Sequence, residues 1–272
     1  MPELPEVETI KRDLEKSVLG KKITGVCVHH PAVIRQPGVD KFKKELTGAA
    51  FKNILRRAKV LILELSNGKS LVVHLKMTGQ LVYPGDGKKS RVSLRLGDGK
   101  ILDFNDQRMF GELRLMDDWR SLKFIQGLGP EPFDISPEKF KEMLSSKKSK
   151  IKPLLMDQTF ISGIGNLYAS EVLFRAGVHP GRSASSLGDR EKDLLFKEIK
   201  DVLNEAIRCG GSSVDDYVRL SGGKGDYVRH HKVYGRQGQP CPVCKTPIKK
   251  ITLGGRGTYF CLRCQKLDEK TD

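Results

Sequence analysis

Four cysteines near the C-terminus constrain the fold of this 272-residue chain more than any other feature of its sequence. They form two Cys-x2-Cys pairs, Cys241 with Cys244 and Cys261 with Cys264, separated by sixteen residues. This spacing is typical of zinc held by four thiolates. Two disulfides are the alternative, but the N-terminus lacks a signal-peptide apolar region and the cytosol keeps thiols reduced. We therefore expect one structural Zn²⁺ ion in a hairpin with too little core to fold alone.

The chain is strongly basic, with 49 Lys and Arg against 33 Asp and Glu and a formal net charge of +16. Residues 219–266 carry eleven of these cations and a single acid, Asp226. That density suits a phosphate backbone, with a merely basic, soluble surface as the alternative. No stretch approaches the roughly 18 uncharged apolar residues of a membrane span. We expect a cytoplasmic protein that binds a polyanion and has no membrane partner.

Hydrophobic periodicity predicts a helix over residues 5–20, followed by strands. The β-rich runs are KITGVCV, VLILEL, SLVVHLKM, RVSLRL, KILDF and ELRLM, and GDG at 97–99 predicts a tight hairpin. These runs favour a β-sandwich or barrel. Four helical segments follow a Gly- and Pro-rich stretch: SPEKFKEML, IKPLLMDQ, NLYASEVLFRAG and DREKDLLFKEIKDVLNEAIRCGG. The predicted order is a β domain at 1–118, a linker at 119–137, a helical domain at 138–230, the zinc hairpin at 231–266 and a tail at 267–272.

The first residues, MPELPEVET, suggest covalent chemistry. An initiator methionine before proline is normally excised, which would leave Pro2 with a free secondary amine. An α-amino group titrates at about 7.7–8.0, so part of it is unprotonated at neutral pH. Such an amine can form a charged iminium with a carbonyl-type carbon, and Glu3 could protonate a substrate oxygen. A plain helix-start proline is the alternative, which the residues alone favour.

Five motifs occur in order: PELPEVET, HLKMTG at 74–79, DQRMFG at 106–111, DQTFISGIGNLYASEVLFRAGVHP at 157–180 and GRGTYFCLRCQ at 255–265. Over almost its whole length the chain resembles formamidopyrimidine-DNA glycosylase, the bacterial base-excision enzyme for oxidised purines. The resemblance implies an α+β fold with an N-terminal β-sandwich and flanking helices, a helical helix–two-turns–helix domain and a zinc-ribbon hairpin. It also implies a nucleoid-associated monomer that acts on duplex DNA containing oxidised bases or abasic sites.

The same resemblance implies the residues of the site. Pro2 would attack C1′ of the damaged nucleotide, Glu3 would assist by proton transfer, and the strand would then be cut by β,δ-elimination. Further catalytic residues would be Glu6, Lys59 and Arg256. The DNA-binding residues would be His74, Met77, Arg91, Arg108, Phe110, Lys147, Lys152 and Asn166.

Several of these residues have an ordinary structural alternative. Met77, Arg108 and Phe110 would fill the gap left by an extruded nucleotide, but in isolation Met77 and Phe110 read as core residues. Asn166 would bind phosphate at a helix start, or would simply cap that helix. The lysine run KKSKIKP could be a solvated surface, although the family places phosphate-binding lysines there, and Lys152 beside a proline is preferred over Lys147.

The sequence departs from the commonest family pattern at Thr78, Arg91, Met109 and the acidic pair Asp215–Asp216. These changes leave the lesion preference and the opposite-base requirement open. The closest rival is an endonuclease VIII-like glycosylase for oxidised pyrimidines, against which Leu4, Met77 and the RMFG stretch argue. A non-enzymatic zinc-ribbon DNA-binding protein is a remote alternative, because such a module has no use for a proline amine.

Overall fold

The computed structural model describes residues 1–267, so all but the first residue of the predicted tail at 267–272 lies outside the described residues. The chain forms two compact units, residues 1–126 with 206–228, and residues 127–205 with the chain from 229 onward. The sequence placed 206–228 with the helical domain, whereas these residues pack with the N-terminal unit. No helix in the described part of the chain is both long and apolar enough to cross a membrane.

The first unit is a two-sheet sandwich with helices at its edges. Its helices are α1 (Leu4–Ser17), α2 (Val39–Leu46) and α3 (Lys123–Gln126), with 3-10 turns at Pro31–Val33 and Trp119–Ser121. Its strands are β1 (Ile23–Val28), β2 (Ile34–Gln36), β3 (Phe51–Arg57), β4 (Val60–Leu65), β5 (Ser70–His74), β6 (Gly79–Val82), β7 (Ser90–Leu96), β8 (Ile101–Asp106) and β9 (Glu112–Met116). One sheet has the order β1-β7-β8-β6 and the other β2-β9-β5-β4-β3, and only β2 and β9 are parallel.

Alternating apolar residues of the two sheets form the core of this unit. Leu63 and Val73 of the five-stranded sheet line the same internal gap as Val92 and Phe104 of the four-stranded sheet. Helix α1 packs on β3 and β4, and its apolar stripe of Val7, Ile10 and Leu14 is fully buried. The predicted β-sandwich with flanking helices is confirmed.

All six predicted runs contain a strand, and the GDG hairpin joins β7 to β8. The sequence did not reveal α2, α3, β2, β3 or β6, and α3 lies within the predicted linker. Helix α2 buries only Phe42 and Leu46 among eight residues, and β3 (FKNILRR) is largely polar and partly exposed. Helix α2 and strand β3 therefore contain too few apolar residues for hydrophobic periodicity to predict them.

The second unit contains the predicted helices and the cysteine hairpin. The helices are α4 (Pro137–Ser145), α5 (Ile151–Met156), α6 (Asn166–Arg175) and α7 (Asp189–Arg208), whose last three residues belong to the first unit. A short 3-10 turn lies at Ala184–Ser186, and another at Tyr227–His230 spans the boundary in the chain between the two units. The antiparallel hairpin consists of β10 (Lys249–Leu253) and β11 (Arg256–Phe260). All four helical segments are confirmed.

Candidate active site and nucleic-acid interface

A capping box fixes the start of α1 beside Pro2. The backbone N–H of Glu3 donates to the Glu6 carboxylate at 2.8 Å, and the Glu3 carboxylate accepts from the backbone N–H of Glu6. Pro5 fits this first turn because an amide hydrogen there would have no helical partner. Pro2 is buried, whereas 45% of Met1 is exposed. The fold thus holds two buried carboxylates next to the residue that would carry the nucleophilic amine.

Lys59 lies at the tip of the β3–β4 hairpin, in the two-residue turn Ala58–Lys59. The turn has Ala58 at φ 51°, and the Arg56 guanidinium donates to the Ala58 carbonyl at 3.0 Å. Burial lowers the pKa of Lys59, although the negative charges of Glu3 and Glu6 oppose that shift. Lys59 therefore gives up its proton more readily than a surface lysine, in a group that also contains two acids.

Glu6 also binds the loop that follows α7. Its second carboxylate oxygen accepts from the backbone N–H of Ser212 at 2.9 Å. Gly211 has φ +81°, and a Cβ there would lie 3.0 Å from Glu6 Oε1. Because backbone N–H groups of Glu3 and Ser212 occupy the two oxygens, Glu6 is suited to positioning rather than proton transfer.

Sequence reasoning missed Gly211 and Ser212 as parts of this site. Tyr217 belongs to the same loop, is buried, and donates its hydroxyl to the Gly210 carbonyl at 2.9 Å. Burial, followed by the Glu6 charge, raises the pKa of Tyr217, so it stays protonated. The only sequence signal was the Gly-Gly pair after α7, which read as a helix end.

His74 ends β5 opposite Val60 and Glu112. Its Nδ1 accepts the Lys76 backbone N–H at 3.1 Å, which leaves the ring proton on Nε2. Burial, assisted by the Lys76 charge, lowers the pKa of His74 to about 4. At neutral pH the imidazole is therefore an uncharged donor of one hydrogen bond.

Acidification from pH 7 to 5 should destabilise the protein through His74. The unfolded side chain takes up a proton near its usual pKa of about 6.5, whereas the folded one does so only near 4. This contribution is present above pH 6.5 and is lost as the pH falls toward 4, by about 2 kcal/mol at pH 5. Urea unfolding at several pH values should show a shallower dependence for His74→Asn. Equal slopes for the two proteins would contradict the assignment.

Met77, Arg108 and Phe110, called the surface trio below, lie on two loops of the first unit, residues 75–78 and 107–111. Met77 is 40% exposed and Phe110 is 49% exposed, so their interpretation as core residues is wrong. The Arg108 guanidinium lies 4.8 Å from the centroid of the Phe110 ring. Two exposed apolar side chains and a stacked cation suit contact with bases rather than with water.

In the second unit, Lys152 and Asn166 tie α5 and α6 to the hairpin. The Lys152 ammonium donates to Asn166 Oδ1 at 2.6 Å and to Thr258 Oγ1 at 2.8 Å. The Asn166 amide donates to the Gly257 carbonyl at 3.1 Å. Asn166 is the first residue of α6, where backbone amides favour an anion. These bonds fix the helix start that the sequence assigned to phosphate.

The preference for Lys152 over Lys147 as the phosphate contact does not fit the structure. Lys152 is 0% exposed, whereas Lys147 is exposed after α4. Arg256 is exposed as well, and it follows a two-residue turn in which Gly254 and Gly255 have φ +56° and +70°. Lys147 and Arg256 can therefore reach a phosphate directly, while Lys152 can act only through the residues that it holds.

The four thiols of Cys241, Cys244, Cys261 and Cys264 lie within 4.8 Å of one another. A tetrahedral zinc with bonds of about 2.3 Å places neighbouring sulfurs about 3.8 Å apart. The Cys241–Cys264 separation is 3.8 Å and the Cys244–Cys261 separation is 3.3 Å, so the cluster fits one ion. Both distances far exceed a disulfide bond of about 2.05 Å.

Comparison with known proteins agrees with this geometry. Residues 1–113 match the family described as "Formamidopyrimidine-DNA glycosylase N-terminal domain", and residues 128–218 match the "Formamidopyrimidine-DNA glycosylase H2TH domain". Formamidopyrimidine-DNA glycosylase of Desulforamulus reducens is 44% identical over 275 residues, covering 98% of this chain and 99% of that protein. The chain belongs to the formamidopyrimidine-DNA glycosylase family.

Solved structures of formamidopyrimidine-DNA glycosylases share the fold. A Lactococcus lactis FPG mutant in complex with Fapy-dG containing DNA has a TM-score of 0.89 at 36% identity, covering 98% of this chain and all of that one. The Lactococcus lactis Fpg complex with DNA containing an abasic site has a TM-score of 0.88 at 36% identity, covering 97% and 100%. Residues 238–267 match "Zinc finger found in FPG and IleRS". The four cysteines therefore bind one structural zinc ion.

Proposed function

We propose that this chain excises oxidised purines, including 8-oxoguanine and formamidopyrimidines, from duplex DNA and then cuts the strand at the abasic site. One observation carries the proposal. The start of α1 holds the buried Glu3 and Glu6 beside Pro2, and the charges of both carboxylates act on the ammonium group of Lys59. An amine, an acid and a second amine of lowered pKa are the groups that imine chemistry on a sugar needs.

The first step uses Pro2 after removal of Met1, whose exposure suits that processing. The proline nitrogen attacks C1′ with its lone pair, the bond from C1′ to the base breaks, and the base leaves with a proton. Glu3 is suited to proton transfer at the sugar oxygen as the ring opens. The product is a positively charged iminium between the sugar and Pro2, which withdraws electrons from the adjacent carbon.

The second step is elimination from that iminium. A proton leaves C2′ and the 3′ phosphate departs, and a second elimination then releases the 5′ phosphate. Burial lowers the pKa of Lys59, which favours its proposed role as the proton acceptor. The exposed guanidinium of Arg256 is proposed to neutralise a departing phosphate.

DNA contacts are proposed for both units. In the first, the surface trio fills the space of the extruded nucleotide, and the neutral His74 donates Nε2–H to a backbone oxygen. In the second, Lys147 and the α6 start at Asn166 bind phosphates. The zinc ion holds the hairpin together and takes no chemical part, because four cysteines leave no open position.

We also propose that the protein acts as a monomer in the bacterial cytoplasm, on the nucleoid. The net charge of +16 favours a standing association with DNA. The relatives named above are bacterial.

A panel of lesion duplexes tests the proposal. Duplexes with 8-oxoguanine or thymine glycol are scored separately for base release and for strand cutting. We expect 8-oxoguanine to be released at least about tenfold faster, with cutting on both sides of the lesion. Preference for thymine glycol would favour an endonuclease VIII-like enzyme. Tight binding without cleavage of any duplex would favour the non-enzymatic DNA-binding module.

A further inference from the structure

We propose that Asp106 and Thr78 form a clamp that joins the two loops of the surface trio and so determines how well the enzyme keeps a nucleotide extruded. This inference rests on the proposed function. Neither residue is exposed enough to touch DNA, since Asp106 is 1% and Thr78 is 6% exposed. Both are therefore positioning residues.

The Asp106 carboxylate gathers donors from both loops. Its Oδ1 accepts from the Thr78 hydroxyl and from the Arg108 backbone N–H at 3.2 Å. Its Oδ2 accepts from the Gly111 backbone N–H at 2.6 Å. One buried charge thus binds the loop 107–111 near both ends and binds the loop 75–78 at its last residue. A buried carboxylate with several donors is a strong anchor, because losing any one of them leaves charge unsatisfied.

Thr78 has two roles in this arrangement. Its hydroxyl donates to Asp106 and accepts from the Arg108 backbone N–H at 3.1 Å. A hydroxyl can donate and accept at once, whereas a methyl group can do neither. Thr78 directly follows Met77, so this one hydroxyl fixes the backbone beside two members of the trio.

The surroundings leave the clamp little freedom. A Cβ at Gly111 would lie 2.8 Å from Asp106 Oδ2 and 2.7 Å from Phe104 Cζ. Only glycine therefore fits at the end of the loop 107–111, directly before β9. The Asp106 backbone pairs with Gly79 across β8 and β6. Its carbonyl accepts from Arg91 Nε at 2.8 Å. Arg91, which the sequence assigned to DNA, therefore also supports the clamp.

The trio depends on this anchor because its own side chains are exposed. Met77 and Phe110 bury too little surface to hold themselves in place. An extruded nucleotide tends to return to the stack, and the trio opposes that return only if its members keep their relative positions. Buried hydrogen bonds supply such preorganisation without contact with the ligand.

Thr78→Val tests the clamp with little change of shape, and Thr78→Ser restores the hydroxyl. Extrusion is followed by fluorescence of 2-aminopurine placed next to 8-oxoguanine, and base release is followed in a single turnover. We expect Thr78→Val to lower both the extrusion signal and base release, release by about tenfold, as for a lost bond to a buried charge. Thr78→Ser should recover most of this loss. Cutting of a duplex that already contains an abasic site should change less than about twofold, because no base has to be kept out.

Ser93→Ala is the matched control. Ser93 on β7 donates to the buried carboxylate of Asp103 at 2.6 Å, and Asp103 lies on β8, as Asp106 does. This hydrogen bond lies outside both loops of the surface trio. We expect Ser93→Ala to lower the thermal stability about as much as Thr78→Val does and to leave nucleotide extrusion unchanged. The clamp proposal would be wrong if Thr78→Val gave the same extrusion signal as the wild-type protein. It would also be wrong if the variant lost equal activity on 8-oxoguanine and abasic duplexes. Wild-type protein that releases no oxidised purine would instead refute the proposed function.

Discussion

Borohydride reduction of the enzyme with 8-oxoguanine duplex is expected to trap a covalent adduct on Pro2, and Pro2→Gly should reduce that adduct by about a hundredfold or more. The proline nitrogen is secondary, so its iminium keeps a positive charge at every pH, whereas the imine of a primary glycine amine must first be protonated. The substitution still permits removal of Met1, because glycine is also small. Gel electrophoresis under denaturing conditions measures the adduct.

Pro5→Ala is the control for this experiment. Pro5 belongs to the first turn of α1, close to Pro2, and is also buried. Alanine suits that turn, and the variant keeps the N-terminal amine, so trapping should stay near the wild-type level. Mass spectrometry of the digested adduct should place the sugar remnant on the first peptide. A remnant on Lys59 would assign the nucleophile to the hairpin turn instead.

Removing zinc is expected to lower affinity for lesion DNA by about a hundredfold or more. Structural zinc contributes apparent binding free energies of about 10–16 kcal/mol in small modules, so the hairpin should unfold without it. That loss reaches beyond the hairpin, because Gly257 and Thr258 hold Asn166 and Lys152. Fluorescence anisotropy with chelated and zinc-restored protein measures the change.

Two cysteine variants separate zinc loss from damage to any thiol. Cys244→Ser removes one ligand and should reproduce the effect of chelation, with zinc content below one ion per chain. Cys27→Ser alters an exposed cysteine outside the cluster and should keep both zinc and affinity. Tight lesion binding by zinc-free protein would show that the hairpin is dispensable.

The sequence predicted the parts whose chemistry is local. Cysteine spacing predicted the zinc cluster, and short β-rich runs predicted six of the strands. The start of α1 was predicted in the same way, and the capping box between Glu3 and Glu6 is a structural finding at that start.

The contacts that the sequence missed depend on tertiary structure. Lys152 was preferred as the phosphate contact because it lies beside a proline in a lysine run, yet its neighbours in space are an amide and a hydroxyl from other elements. Taken alone, Met77 and Phe110 read as core because apolar residues usually are, and only the family resemblance assigned them to the gap of an extruded nucleotide. The fold exposes both on loops. The return of residues 206–228 to the first unit also has no local signal, since their contacts with Glu6 and Asp13 span about two hundred positions.

The shared carboxylate of Glu6 links the start of α1 to the loop that follows α7. It holds the residue next to the nucleophile with one oxygen and the start of the loop at Ser212 with the other. If that loop were displaced, the buried Glu6 oxygen would lose its donor at a cost of about 1–3 kcal/mol. The helix start would be drawn from its place at the same moment. A displacement of that loop is therefore transmitted to the start of α1 through a single side chain.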